Sequence, residues 1–282
     1  MKKACIVLTF LLLIMVVISL SIVVFGKNIP LRNKIALIRI EGPIMDSKNT
    51  IDEIKDYAKD SSIKAILVRI DSPGGAVGPS QEIYAELKKA CAKKKVVVSM
   101  GSVAASGGYY IASTASRIYA NPGTLTGSIG VIMEIPNIEG LMSKIGIKTE
   151  VVKSGKNKDI GSAFRKMTPE EKELLQGVMD NVHEQFIKAV ADGRHLKTED
   201  VRAIADGRIF TGEQAKEKGL VDELGTIEDA VAAAAKLAGI KEEPEIVSKK
   251  DGFSITDIMR NKIPKELSEV FPSVKIKYLY SP

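Results

Sequence analysis

Histidine and cysteine are scarce in this chain of 282 residues, which contains two of each. Cys91 is the only cysteine beyond the first 33 residues, so no disulfide bond can form within the main domain. His183 and His195 are twelve residues apart in helix-like sequence, and no cysteine pair accompanies them. The sequence therefore predicts no metal site and no other cofactor. Both histidines are expected to be solvated, which argues against a Ser-His-Asp triad.

Charged residues are absent from residues 4–25, a run of 22 that also contains no glycine or proline. A helix of this length spans the roughly 30 Å hydrocarbon core of a bilayer. The run is longer than the apolar core of a cleavable signal peptide and lacks its cleavage pattern. We therefore predict an uncleaved transmembrane anchor at 4–25, with a short terminus at 1–3 and a tether at 26–33. Basic residues nearly balance on its two sides, so charge alone does not orient it.

A strong excess of one charge is also missing. The net charge of +6 falls to +4 without Lys2 and Lys3, and acidic and basic residues are interspersed. This distribution gives no indication of nucleic-acid binding and only a weak one of attraction to an anionic membrane surface. The hydrophobic fraction of 45% is sufficient for a full core.

Apolar runs typical of strands alternate with amphipathic segments typical of helices in the first half of the chain. This alternation predicts an α/β domain with a largely parallel sheet. Because ligands gather at the carboxyl ends of such strands, the turns at 71–75 and at Ser106 are expected to meet. The predicted strands are 34–40, 63–70, 96–100, 117–120 and 148–152, and the predicted helices are 50–59, 79–93 and 106 to about 116.

The second half is predicted to be mainly helical. A capping box at Thr168 is expected to begin a long helix that ends near residue 192. Thr198, Thr211 and Thr226 are expected to begin shorter helices. Residues 249–282 have little periodicity, and we predict a peripheral or mobile tail there.

The segment AASGG at 104–108 follows an apolar strand and precedes small residues with helical character. Ser106 would then lie beside the unpaired N–H groups of a helix N-terminus, where an oxyanion is stabilised. Its hydroxyl needs a base, and a lysine can serve because desolvation favours the neutral amine. Spacing does not choose among Lys153, Lys156 and Lys158, which follow an apolar run.

Several motifs, in their order along the chain, resemble the signal peptide peptidase A family. They are DSPGG at 71–75, SMGSVAASGGYY at 99–110, TLTGSIG at 124–130, KSG at 153–155 and KDI at 158–160, followed by ADGR at 205–208, TG at 211–212 and GLVD at 219–222. The resemblance covers residues 34 to about 240. It implies a membrane-anchored serine endopeptidase with a Clp protease/crotonase-like fold and a peptidase domain at 34–248.

The resemblance also implies roles for individual residues. It makes Ser106 the nucleophile and Lys158 the general base, with Ser128 as the hydroxyl that positions the lysine. The backbone N–H groups of Gly75 and Gly107 would form the oxyanion hole, in keeping with one donor just after the nucleophile and one from another turn.

The same resemblance implies partners and a location. A homo-oligomeric ring would form in which neighbouring subunits complete each dyad. The N-terminus would be cytoplasmic and the catalytic domain would lie outside the cell membrane, where remnant signal peptides are the substrates. The chain differs from the long members of the family because its 282 residues hold only one copy of the repeat.

Three other functions remain open at this point. A crotonase-like acyl-CoA enzyme would stabilise an enolate with two backbone N–H groups, but the anchor and the serine turn argue against it. A tethered scaffold would bind apolar peptides without turnover, but the complete set of site residues favours an enzyme. A related membrane peptidase would cleave a dedicated membrane-protein partner.

Overall fold

The computed structural model of the chain describes residues 13–16, 33–249 and 277–279. The strands are β1 (Lys34–Glu41), β2 (Ile63–Ser72), β3 (Gly74–Ala76), β4 (Lys95–Ala105), β5 (Arg117–Ala120), β6 (Leu125–Gly127), β7 (Ile209–Thr211), β8 (Glu223–Leu224), β9 (Glu245–Val247) and β10 (Lys277–Leu279). The helices of the main domain are α1 (Lys48–Lys59), α2 (Val77–Cys91), α3 (Gly107–Ala112), α4 (Glu139–Lys144), α5 (Pro169–Arg194), α6 (Thr198–Arg202), α7 (Gly212–Glu217) and α8 (Ile227–Leu237).

The chain divides into one unit at 1–33 and a second at 34–282. Most of the predicted anchor and its flanking segments lie outside the described residues, and residues 13–16 are helical. No helix within the described parts of the chain has both the length and the apolar character needed to cross a membrane. The proposed boundaries at 1–3, 4–25, 26–33, 34–248 and 249–282 stay predictions.

Eight strands form one sheet in the order β7-β6-β4-β2-β1-β9, with β5 pairing β4 and β8 pairing β5. Every pair in this sheet is parallel except β6 with β7. The predicted α/β class with a largely parallel sheet is therefore confirmed. β3 and β10 form a separate antiparallel pair.

Successive side chains of the central strands point to opposite faces of the sheet, and each face packs against its own core. The central strands are therefore buried on both faces. Ala36 and Ile38 of β1 belong to the larger core, which also contains buried residues of α1, α2, α3 and α5. Ile35 and Leu37 belong to the smaller core, which contains buried alanines of α8. The sheet is therefore the middle layer, and the carboxyl ends of β2, β4 and β6 lead into the turns predicted to carry the site.

The predicted helix starts at Thr168, Thr211 and Thr226 are confirmed as capping boxes. Each threonine hydroxyl accepts a hydrogen bond from the backbone N–H three residues later, and the side chain at that position bonds back. α6 begins at Thr198, without a side-chain cap.

The predicted strand at 148–152 is wrong. No strand forms there, and the side chains of Val151 and Val152 are solvent-exposed. A strand is stabilised by pairing with a neighbour, and none of the described strands pairs with this segment. Residues 131–168, which we call the arm, contain α4 as the one helix among the described elements and mainly irregular backbone.

Candidate active site

Ser106 occupies the junction between β4 and α3, as the sequence predicted. Its backbone has φ 53° and ψ −119°, a region that residues other than glycine rarely adopt. Strained residues of this kind cluster at active sites, where a sharp strand-to-helix turn presents a nucleophile. In the single chain the residue is 1% exposed, and its hydroxyl makes no hydrogen bond with any described residue.

Ser128 lies next to Ser106 because their strands are paired. Ala105 of β4 is opposite Gly127 of β6, and the backbone N–H of Ser106 donates to the carbonyl of Gly127 at 2.8 Å. Ser128 also has a positive φ, 49°, and its N–H donates to the carbonyl of Arg208 at 2.8 Å. The two predicted site serines are thus brought to the same edge of the sheet.

The turn at 71–75 meets the serine turn, as expected. Ser72 at the end of β2 is opposite Ala104, and its hydroxyl accepts a hydrogen bond from the N–H of Gly74 at 3.1 Å. Gly108 packs so closely on this turn that a Cβ there would lie 3.0 Å from the carbonyl oxygen of Ser72. β3, which contains Gly75, lies against α3, which begins with Gly107.

Gly75 is held against the backbone of Ile44. The N–H of Ile44 donates to the carbonyl of Gly74 at 2.8 Å, and the N–H of Ala76 donates to the carbonyl of Ile44 at 2.8 Å. A Cβ at position 75 would lie 2.1 Å from the Ile44 oxygen, so no side chain fits without separating the two segments. This contact sets the position of the backbone on which the predicted oxyanion donor lies.

Asp71 is a supporting residue that the sequence did not reveal. Its carboxylate accepts a hydrogen bond from the N–H of Val103 at 3.0 Å, and a Cβ at Gly101 would lie 2.7 Å from its Cγ. The contact holds the end of β2 against the last residues of β4. Its two halves are about 30 residues apart in sequence, so local patterns give no signal for it.

Lys158 lies in an exposed turn of the arm, where its N–H donates to the carbonyl of Gly155 at 3.1 Å. Within the described chain its ammonium hydrogen-bonds neither Ser106 nor Ser128. Lys153 forms an ion pair with Asp159, which sets it apart from the other two candidate bases. Which of the three lysines is the base stays a prediction, and the family resemblance implies Lys158.

An ion-pair network holds the turn that carries Lys158. The guanidinium of Arg165 donates to Asp159 at 2.8 Å and to Glu171 at 2.8 Å, and Glu171 also accepts from the N–H of Thr168 at the start of α5. These hydrogen bonds from Arg165 hold the pKa of Asp159 well below its ordinary value and lower the pKa of Glu171 to about 2. Lys158 therefore directly precedes Asp159, which is linked through Arg165 to Glu171 of α5.

A cavity of about 480 Å³ opens beside Ser128. Its walls include Ile132 and Met179 together with His183 of α5 and Asp206. The prediction of a solvated His183 is wrong for its ring Nε2, which is buried and has no hydrogen-bond partner among the described residues. His195 is exposed, as predicted, and ends α5 with a left-handed backbone.

Several large apolar side chains of the arm are exposed to solvent. Leu141 and Ile145 are each 59% exposed, and Val152 is 102% exposed. Clusters of exposed apolar side chains on this scale are typical of interaction surfaces. The arm, which also carries Lys158, is therefore suited to contact another molecule.

Chemically, the arrangement presents a strained serine at a strand-to-helix turn, and the helix that follows it lies against the strand of the turn at 71–75. Among the described residues no group of histidine, cysteine and acidic side chains is placed to hold a metal ion. The strained turn of Ser106 supports acyl transfer through a serine hydroxyl.

The sequence is similar to known proteases. The model of peptidase family S49 matches residues 88–241, which include Ser106, Ser128 and Lys158. A Synechocystis sp. protein with a provisional protease designation is 50% identical over 210 residues, covering 74% of this chain and 76% of that protein. Protease 4 of Salmonella typhi is 39% identical over 257 residues, which make up 85% of this chain and 41% of that protein.

A third relative, from Enterococcus faecium, has a provisional name as a signal peptide peptidase. It is 37% identical over 221 residues, covering 77% of this chain and 63% of that protein. The family match spans more than half of the chain. The chain therefore belongs to peptidase family S49, the signal peptide peptidase A family, and is a serine peptidase.

Proposed function

We propose that this peptidase is a membrane-anchored endopeptidase that uses a Ser-Lys dyad, Ser106 and Lys158, to cleave remnant signal peptides and similar apolar peptides. The observation that carries the proposal is the strained turn of Ser106, with Ser128 fixed beside it by strand register. The name of the Enterococcus faecium relative supports the substrate class. The α/β architecture is consistent with the Clp protease/crotonase-like fold.

In the proposed mechanism the neutral amine of Lys158 takes the proton of the Ser106 hydroxyl as Oγ attacks the scissile carbonyl. The N–H groups of Gly75 and Gly107 donate to the oxyanion of the tetrahedral intermediate. The lysine ammonium then protonates the leaving amine, and the acyl group stays on Ser106. Water, deprotonated by the same lysine, releases the second product and restores the serine.

The dyad is proposed to form between neighbouring copies of the chain in a homo-oligomeric ring. Two observations support this arrangement: among the described residues Lys158 forms no hydrogen bond with Ser106, and it lies in an exposed turn of the arm, which carries exposed apolar side chains. Assembly would cover the arm and move the amine out of water, which favours the neutral form of a lysine.

The charge-free run at 4–25 supports a single-pass anchor. We propose a cytoplasmic N-terminus and a catalytic domain outside the cell membrane. This location would bring the site close to the apolar peptides that remain after signal-peptide processing.

Three single variants test the dyad: Ser106→Ala, Lys158→Ala and the matched control Lys156→Ala. Hydrolysis of fluorogenic fragments of signal peptides should be lost in the first two and kept in the control. Light scattering should show the same assembly in all three. Hydrolysis by either dyad variant at the wild-type rate would refute the assignment.

Co-expression of Ser106→Ala with Lys158→Ala chains tests whether two copies share a site. In a head-to-tail ring of mixed chains, about a quarter of the sites would combine an intact serine with an intact neighbouring lysine. We therefore expect about a quarter of the wild-type rate. An absence of recovered activity in mixed rings would show that the dyad forms within one chain.

A fluorophosphonate probe distinguishes the peptidase from an enzyme that needs no nucleophilic serine. The wild-type chain should be modified at Ser106, and the Ser106→Ala chain should not. A folded wild-type protein that resists the probe would favour the acyl-CoA alternative.

A further inference from the structure

The helix that follows Ser106 is fixed to a distant part of the chain. All six residues of α3 are buried. Tyr109, the third of them, is 0% exposed, and its hydroxyl donates a hydrogen bond to the carbonyl of Leu220 at 2.9 Å. Burial raises the pKa of Tyr109, so at neutral pH the hydroxyl stays protonated and can donate. A side chain three residues after the proposed nucleophile is thus anchored to the GLVD motif at 219–222.

The GLVD motif is itself held in place by an ion pair. The guanidinium of Arg194, at the end of α5, lies 2.7 Å from the carboxylate of Asp222, and its Nε donates to the carbonyl of Gly219 at 3.3 Å. The side chain of Arg194 is only 7% exposed. Asp222 also accepts a hydrogen bond from the N–H of Ile118 in β5 at 2.7 Å. The carbonyl that receives the Tyr109 bond therefore belongs to a segment tied to both α5 and the sheet.

The end of α3 is held by the same turn of α5. Gly193 packs so closely on Ser113, the residue that ends α3, that a Cβ at position 193 would lie 2.7 Å from the carbonyl carbon of Ser113. Gly193 directly precedes Arg194, so the close backbone contact and the ion pair come from neighbouring residues. The position of α3 is therefore fixed both at Tyr109 and at its last turn.

This support bears on the backbone of Ser106. Its φ of 53° and ψ of −119° form a strained conformation, which persists only where the surrounding structure fixes it. The carbonyl of Ser106 accepts a hydrogen bond from the N–H of Tyr110 at 2.8 Å, in the first turn of α3. A shift of α3 would therefore move Ser106 as well, and a misplacement of about 1 Å at a reacting group can slow a reaction about 100-fold.

We propose that Tyr109 is a positioning residue for Ser106. Its hydrogen bond to Leu220 keeps α3 where Ser106 holds its strained backbone and presents Oγ to the scissile carbonyl. Arg194 acts on the same segment by fixing Asp222. The inference rests on the proposed function, because it takes Ser106 as the nucleophile. It gives the GLVD motif a role in the site, although Tyr109 and Leu220 are 111 residues apart.

Removal of one hydroxyl group tests the proposal. Tyr109→Phe keeps the ring and removes the group that donates to Leu220, and Tyr110→Phe is the matched control in the same helix. The ring of Tyr110 packs between those of Tyr84 and Phe186 at centroid distances of 4.9 Å, and this packing remains in the control. We expect Tyr109→Phe to lower kcat about 10–100-fold while KM stays near its wild-type value. The control should keep both parameters near wild type.

The rate at which a fluorophosphonate modifies Ser106 provides a second readout, which needs no peptide. This rate should fall in Tyr109→Phe by a factor similar to the loss of kcat. Circular dichroism, recorded well below the Tm of each variant, confirms that each is folded. A purely structural role would lower Tm and leave both kcat and the modification rate of the folded enzyme unchanged. That result would overturn the proposal.

Arg194→Gln tests the same support without altering the buried tyrosine, and it decides the question if Tyr109→Phe does not fold. The matched control is Arg202→Gln, which removes an arginine whose ion pair with Glu184 is more exposed, at 52% and 31% for the two side chains. We expect Arg194→Gln to lower kcat with little change in KM, and Arg202→Gln to match wild type. Equal kcat values for Arg194→Gln and wild type would contradict the link through Asp222.

The possible outcomes separate this inference from the proposed function. Hydrolysis by a Ser106→Ala chain would refute the nucleophile, and the role of Tyr109 would fall with it. An inactive Ser106→Ala chain beside a folded and fully active Tyr109→Phe chain would refute the positioning role alone. Hydrogen exchange adds a check without turnover: in Ser106→Ala chains, the amides of α3 should exchange faster with Tyr109→Phe than with Tyr110→Phe. Equal exchange would show that the Tyr109 hydroxyl does not fix the helix and would overturn the proposal.

Discussion

Replacement of Gly75 by alanine is a direct test of the backbone geometry proposed for the oxyanion hole. The new Cβ would lie 2.1 Å from the carbonyl oxygen of Ile44 and 2.6 Å from its carbon and nitrogen. Non-bonded heavy atoms are comfortable at about 3.5–4 Å, so the two segments must separate by more than about 1 Å. Such a shift breaks the two 2.8 Å hydrogen bonds that join Ile44 to Gly74 and Ala76.

The expected magnitudes follow from these contacts. Each lost hydrogen bond contributes about 0.5–1.5 kcal/mol to the free energy of unfolding, which gives a loss of about 1–3 kcal/mol for the two. In a domain of this size, a loss of about 2 kcal/mol lowers Tm by roughly 4–8 °C. Displacing one oxyanion donor lowers kcat by about 10²–10³-fold.

Gly78→Ala is the matched control, because a Cβ at position 78 has no neighbour within 4 Å. It lies in α2, where alanine is favoured over glycine by roughly 0.5–1 kcal/mol, so Tm should stay the same or rise. Peptide hydrolysis is measured well below the Tm of each variant, and circular dichroism confirms that each is folded. A folded Gly75→Ala enzyme with a kcat within a few-fold of wild type would refute the oxyanion assignment.

Two further predictions concern ionisable groups. The hydrogen bonds from Arg165 lower the pKa of Glu171 from 4.5 to about 2. The interaction of ionised Glu171 with Arg165 therefore stabilises the arm fully above about pH 4.5, and this stabilisation is lost as the pH falls through about 2. Pepsin should therefore cleave the arm faster in Arg165→Gln than in the control Lys172→Gln at pH 4.5, and the difference between the two rates should be smaller near pH 2. Equal cleavage rates of the two variants at pH 4.5 would contradict this prediction. Burial raises the pKa of the Cys91 thiol to about 11. In a Cys5→Ser chain, alkylation of Cys91 at pH 8 should therefore be slow until the protein is unfolded. Rapid labelling of the folded chain would show that the thiol is not shielded.

The strands were predictable where an apolar run is buried on both faces. β1, β2, β4 and β5 each include a segment that the pattern predicted, and Ser106 follows β4 as expected. The end of β4 was underestimated by five residues, since Gly101 and Ser102 resemble a turn in sequence. In the fold Gly101 instead gives room to the side chain of Asp71, a contact between two strands that local sequence does not encode.

Other features depend on partners that are distant in sequence. β3 and β10 have three residues each, too few for a periodic pattern, and their pairing joins parts of the chain about 200 residues apart. The segment at 148–152 has the apolar residues of a strand, but no described strand pairs with it. The salt bridges of Arg165 span six residues in each direction and match no regular spacing of helix or strand.

The pairing of β4 with β6 has a practical consequence for identifying natural substrates. The positions of Ser106 and Ser128 follow from backbone register, reinforced by the hydroxyl of Thr126, which donates to the carbonyl of Ala104 at 2.7 Å. Loss of the nucleophilic oxygen removes none of these hydrogen bonds. The Ser106→Ala protein should therefore keep a formed site and hold peptides without cutting them. Purified from its own cells, such a protein would serve as a substrate trap whose cargo can be sequenced by mass spectrometry.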